Sequence, residues 1–174
     1  MKPILFLDFD DVICVNAQYG GYDVLAPNPP DDLWSRLFHP PAVGTLLQIM
    51  DEHVPVVVIT TSWLRFLTKE GLVQVLRKTG LGPVAEALHH QWEAPQVYGK
   101  ERVDAIDRWL KHYHRGEAYV ILDDANSGTG LRQSRHAKAG WVVFCEENVG
   151  LHAGHLPAVR KAFAMPSESA KTKK

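Results

Sequence analysis

The sequence predicts an α/β fold: an open, three-layer domain built on a parallel sheet. Short uninterrupted apolar runs recur at Ile4–Leu7, Val56–Ile59, Tyr119–Leu122 and Trp141–Cys145, as strands buried on both faces require. Stretches of helical apolar spacing lie between them, the mark of βαβ units with right-handed crossovers. Polar clusters follow directly on three of the runs, at the carboxyl edge where such sheets bind ligands.

The helices follow the same logic. Val43, Leu46, Leu47 and Met50 fall on one helical face. A second helix is expected over Lys69–Lys78, burying Leu72, Val75 and Leu76, with Gly80 and Gly82 stopping it. Val103, Ile106, Trp109, Leu110 and Tyr113 form the clearest amphipathic stripe, on a helix of about Glu101–His114 that Gly116 ends. A last helix spans about Pro157–Phe163, with proline suited to its first turn. Leu81–Val97 gives no clear pattern beyond room for a short strand. Residues 16–41 are punctuated by Gly20, Gly21, Pro27, Pro29, Pro30, Pro40 and Pro41, and read as an irregular excursion with a short helix near Asp31–Phe38. Excursions of this length in a compact domain are usually functional or disordered.

A chain of 174 residues fits one domain, here taken as residues 1–166, with Ser167–Lys174 a small, basic, flexible tail. Such a chain buries a core without staples. Apolar residues make up 45% and charged residues 22%, ordinary for a globular protein, and the net charge of −1 offers no broad field for nucleic acid. Cys14 and Cys145 form no CxxC pair and read as reduced thiols of a cytoplasmic protein. The apolar runs are far shorter than the ~18 residues of a membrane span. Asp8, Asp10 and Asp11 interrupt the N-terminal apolar stretch, which argues against a signal peptide.

The polar clusters carry the chemistry. Asp8, Asp10 and Asp11 follow the first strand, Thr60, Thr61 and Ser62 the second, and Asp123 and Asp124 the third long run; Lys100 heads the best helix. Asp8 and Asp10 are two apart, so in an extended chain they point the same way. One carboxylate can attack while the other handles protons. Crowded acids repel unless a cation intervenes, and hard oxygen ligands select Mg²⁺. A hydroxyl and an ammonium then hold phosphoryl oxygens, whose charge must be neutralised during transfer. Taken alone, Asp11 or Ser62 reads equally well as a cap or turn residue. Lys100 at a helix start opposes the macrodipole, a mild sign of function.

With these residues in view, the chain resembles the haloacid dehalogenase (HAD) superfamily. LDFDDV (Leu7–Val12) looks like its first motif, Ile59–Thr61 its second, Lys100 its third and Leu122–Asp124 its fourth. More narrowly, TTSW at Thr60–Trp63 and Gly150–His152 are similar to the HAD domain of Swiss-Army-knife RNA-repair proteins. The resemblance covers Ile4 to about Phe163. It implies a Rossmann-like sheet with a small cap insertion at the excursion, and a Mg²⁺-dependent phosphatase. Asp8 would be the nucleophile and Asp10 the general acid/base; Thr60, with Thr61 as the alternative, and Lys100 would hold the phosphoryl group. Mg²⁺ would be bound by Asp8, the Asp10 carbonyl and Asp123, with Asp124 nearby. Asp11 replaces a common glycine. The substrate is expected to be a phosphorylated small molecule, such as a nucleotide, or a nucleic-acid end.

Tyr19, Tyr22, Trp34 and Phe38 in the excursion offer rings for stacking on a base or sugar. The plainer and preferred reading is a small core beneath the loop, since aromatics bury large areas. His89, His90, His112 and His114 lack metal-motif context and are assigned to surface or loop positions. Ser127–Gly130 lacks the ending of a phosphate loop and is expected to shape the turn after Asp124. The rival readings are a receiver-like signalling domain and a non-catalytic phosphate-binding domain. In a receiver the lysine follows the last acidic motif; here Lys100 precedes Asp123.

Overall fold

Every residue of the first strand, β1 (Ile4–Leu7), is buried, as a central strand covered on both faces must be. In the computed structural model, which describes residues 1–15, 17–125 and 129–165, β1 is flanked by β2 (Val56–Ile59) and β4 (Tyr119–Asp124). The edge strands β3 (Leu88–Glu93) and β5 (Val142–Cys145) complete a parallel sheet of order β3-β2-β1-β4-β5. The chain moves outward from β1 through β2 to β3, then crosses back to β4. The switch point therefore lies between β1 and β4, the place where open α/β sheets bind ligands.

The helices are α1 (Leu33–Arg36), α2 (Pro40–His53), α3 (Lys69–Lys78), α4 (Gly82–Glu86), α5 (Arg102–Tyr113), α6 (Arg135–Ala139) and α7 (Leu156–Ala164). α2, with Pro40 in its first turn, touches α4 and α7, and α7 lies on β4 and β5. α5 packs through Trp109, whose ring meets Phe6 edge-on at 5.3 Å. α3 keeps the expected bounds and buried face, and Thr68 caps its start by accepting from the Gly71 N–H. On α2 the buried face is Ala42, Thr45, Leu46, Ile49 and Met50, while Val43 and Leu47 are half-buried at its margin.

His89 and His90 lie on the edge strand β3, the first half-buried and the second exposed, a surface placement as expected, and β3 is the short strand for which Leu81–Val97 had room. That strand reads LHHQWE; none of its residues is fully buried and its register against β2 is irregular, so no apolar run marks it. The excursion ends at His39, where α2 begins, and holds a 3-10 turn at Gly21–Leu25 besides α1. Its aromatics divide. Phe38 is buried against Phe9 and Trp63, Tyr19 donates its hydroxyl to Asp32 at 2.6 Å, and Lys78 sits 4.5 Å over Trp34. Tyr22 alone of the four stays exposed, stacked on Phe66 at 5.1 Å. Cys14 and Cys145 are buried and form no disulfide. No helix among the described residues is long and apolar enough to cross a membrane. The expected tail Ser167–Lys174 and, of Ser127–Gly130, the first two residues lie outside the described residues.

Candidate active site

The site grows from the ends of β1, β2 and β4. Asp8 follows β1 directly and donates its backbone N–H to Leu122 O at 3.1 Å. Thr60 follows β2 and donates to Leu7 O at 2.9 Å, so both side chains issue from one edge. Asp123 and Asp124 close β4. After Asp8 the chain turns sharply: Phe9 O accepts from the N–H groups of Val12, Ile13 and Cys14. Asp11 takes a left-handed conformation, φ 54°, which aspartate tolerates better than most residues. Its carboxylate accepts from the Asn148 N–H at 2.8 Å and ties the turn to the loop after β5.

Asp8, Asp123 and Asp124 offer carboxylate oxygens that all lie within 4.8 Å of one another. Burial pushes the Asp8 carboxyl up to about 6 against the pull of Arg102. Burial, followed by the nearby Asp8 charge, raises Asp123 well above the ordinary carboxylate range. Arg102 bridges the two: its Nη1 contacts Asp8 Oδ2 and donates to Asp123 Oδ2 at 2.9 Å. Burial opposes the Arg102 charge, but these two acids outweigh it and raise its pKa.

Asp10 stands apart. It is half-buried and is held by neutral donors, Ser62 Oγ at 3.1 Å from Oδ2 and Trp63 Nε1 at 3.2 Å from each oxygen. The two threonines also differ. Thr61 Oγ1 accepts from the Trp63 N–H and caps the 3-10 turn Ser62–Arg65. Thr60 Oγ1 is buried without a hydrogen-bond partner among the described residues. A buried hydroxyl in that state is costly unless a ligand completes it.

Lys100 does not join these residues. It is exposed, and its backbone closes a turn by donating to Val97 O and accepting from Gln96 Nε2. Lys100 precedes Glu101, whose N–H is capped by Asp104 at 3.0 Å, so it lies outside the helix. The cation that reaches the acids is Arg102, the first residue of α5. Arg102, Ala105, Ile106, Trp109 and Leu110 are the helix's buried residues. Their spacing was a signal in the sequence that a cation at 102 points inward.

The residues present fit a hard divalent cation. Three carboxylates converge, Asp8 Oδ1 has no hydrogen-bond partner among the described residues, and burial disfavours the ionised acids unless positive charge compensates. A second group, Glu146, His152 and His155, also converges within 4.8 Å. There each imidazole Nδ1 accepts a backbone N–H, from Gly154 at 3.1 Å and from His152 at 3.2 Å. Both Nε2 atoms face Glu146, and the Nδ1 bonds cap a turn.

A family model described as the HAD domain in Swiss Army Knife RNA repair proteins matches residues 4–156. No curated protein and no solved structure matches the chain. The matched span runs from the first residue of β1 to the first residue of α7 and takes in every residue of the site. The chain belongs to this family of HAD domains.

Proposed function

We propose that the protein is a Mg²⁺-dependent phosphomonoester hydrolase working through an aspartyl phosphate. The observation that carries this reading is the buried Asp8 carboxylate set between Arg102, Asp123 and Asp124 at the β1/β4 switch point. Asp8, the Asp10 carbonyl and Asp123, with Asp124 beside them, would hold Mg²⁺, which supplies charge neutralisation at the phosphoryl oxygens.

In the first step an Asp8 oxygen forms a bond to phosphorus while the ester P–O bond breaks, and Asp10 gives its proton to the departing oxygen. In the second, a water attacks phosphorus, Asp10 takes its proton, and Asp8 is released with inorganic phosphate. Thr60 Oγ1 donates to a phosphoryl oxygen, and Arg102 offsets charge on Asp8 and the phosphoryl group. A nucleotide or nucleic-acid end is the substrate class we favour. The RNA-repair description of the family and the exposed Tyr22 ring both support it.

Hydrolysis of p-nitrophenyl phosphate with and without Mg²⁺ tests the reading. Turnover should require Mg²⁺, and Asp8→Asn should lower it by at least about a thousandfold, since the nucleophile itself is lost. Equal inertness of the wild type and Asp8→Asn, across a panel of phosphomonoesters, would leave a phosphate-binding domain instead.

A further inference from the structure

We infer that Ser62 and Trp63 are positioning residues for proton transfer, clamping the Asp10 carboxylate at the wall of the pocket into which the leaving group departs. The inference rests on the phosphohydrolase reading above and adds to it which residues aim the acid and on which side the expelled group sits.

Asp10 needs such a clamp. It lies beyond β1, where the chain has already left the strand, and bridges to Cys14. Its carboxylate can turn about two side-chain bonds unless other groups hold it. The indole N–H of Trp63 lies 3.2 Å from each Asp10 oxygen, and the Ser62 hydroxyl 3.1 Å from one of them. An indole donates but does not accept, so it orients the carboxylate without competing for the proton that Asp10 transfers.

The indole is itself immobilised. Trp63 is buried, with Phe9 edge-on at 5.2 Å, Phe38 at 5.9 Å and Phe66 at 6.1 Å. Gly21 covers it so closely that a Cβ there would stand 2.7 Å from Trp63 Cε2 and 2.8 Å from Nε1. Thr61 fixes the backbone beneath by capping the turn that carries both donors. A donor locked this way spends little entropy in holding its partner.

The same residues border a cavity of about 310 Å³, lined by Asp10, Tyr22, Ser62, Trp63, Arg65 and Phe66 among others. Asp8 and Thr60 are absent from its lining. Asp10 thus borders this cavity while lying near enough to Asp8 for their charges to interact. A proton donor must meet the oxygen that leaves phosphorus, which places the leaving group in the cavity.

The alternative is that the Trp63–Asp10 contact merely pins the excursion to the sheet. Leaving-group dependence separates the two. An alkoxide needs protonation as it departs, whereas p-nitrophenolate hardly does. Trp63→Phe keeps the ring and removes the N–H; Ser62→Ala removes the second donor. We expect Trp63→Phe to lower kcat/KM for glycerol 2-phosphate about tenfold more than for p-nitrophenyl phosphate, with Ser62→Ala smaller in the same direction. Asp10→Asn should show the largest selective loss of the three. A uniform loss on both esters, or no loss, in a variant with wild-type circular dichroism would overturn the inference alone. If Trp63→Phe fails to fold, the selective ratio in Ser62→Ala decides the matter by itself. If the wild type hydrolyses no ester of the panel, the phosphohydrolase reading fails and the inference falls with it.

Discussion

Two carboxylates, two positions apart in the chain, occupy opposite surroundings. Asp8 is buried among charges: Arg102 touches it and Asp123 and Asp124 crowd it. Asp10 is half-buried and takes hydrogen bonds from an indole and a hydroxyl. Charge-compensated burial suits a group that must present a bare oxygen to phosphorus. An indole and a hydroxyl that orient a carboxylate suit one that, in the proposed mechanism, passes a proton on and takes one back. The contrast arises because β1 ends at Leu7 and the chain turns at once after Asp8, sending the two side chains to different neighbours.

The largest test of this contrast is Arg102→Ala. It would leave Asp8 and Asp123 buried without their cation, so we expect a loss of about 3–5 kcal/mol in denaturant unfolding without metal. Added Mg²⁺ should recover part of that loss, since a cation that binds only the folded chain stabilises it. An unchanged midpoint would mean that the bridge does not form in solution.

A smaller effect concerns pH. Asp8 is raised from 3.8 to about 6 in the folded chain. A carboxyl with a raised folded pKa favours the native state while protonated, so its contribution is full below about 4 and is lost as pH rises through about 6. Metal-free protein should therefore become less stable across this window, with Asp123 acting in the same direction. Asp8→Asn should flatten the slope, and saturating Mg²⁺ should oppose it by favouring the ionised acids. Thermal melts across pH, with EDTA or Mg²⁺, provide the measurement; a metal-free slope of opposite sign would contradict the burial argument.

The smallest effect is expected of Lys100→Ala. Its side chain is exposed and outside the acid cluster, so stability should change by less than about 0.5 kcal/mol. Turnover should stay within about twofold of wild type. A loss on the scale of Arg102→Ala would restore Lys100 to the site.

What was legible in the sequence follows from burial. β1, β2 and β4 announce themselves because strands covered on both faces must be apolar throughout, and the acids and hydroxyls stand out because they end such runs. β3 is faint because none of its residues is fully buried, unlike the equally peripheral but alternately buried β5. α6 is hidden because five residues give no periodicity. Lys100 drew attention as the cation before a helix, yet the N-cap lies at Glu101, and a shift of two positions separates a surface turn from the buried face. Ser62 and Trp63 lie beside Thr60 in sequence, but their hold on Asp10 spans some fifty residues and no local pattern discloses it.

Gly21 has one more consequence. Its backbone lies against the Trp63 and Phe66 rings at a distance no side chain can share. Alanine there would have to prise the strap away from the indole, altering the roominess beside Asp10 while every acid, hydroxyl and cation keeps its identity. Bulk at this one position would therefore loosen the indole's hold on Asp10 and reshape the cavity beside it at the same time.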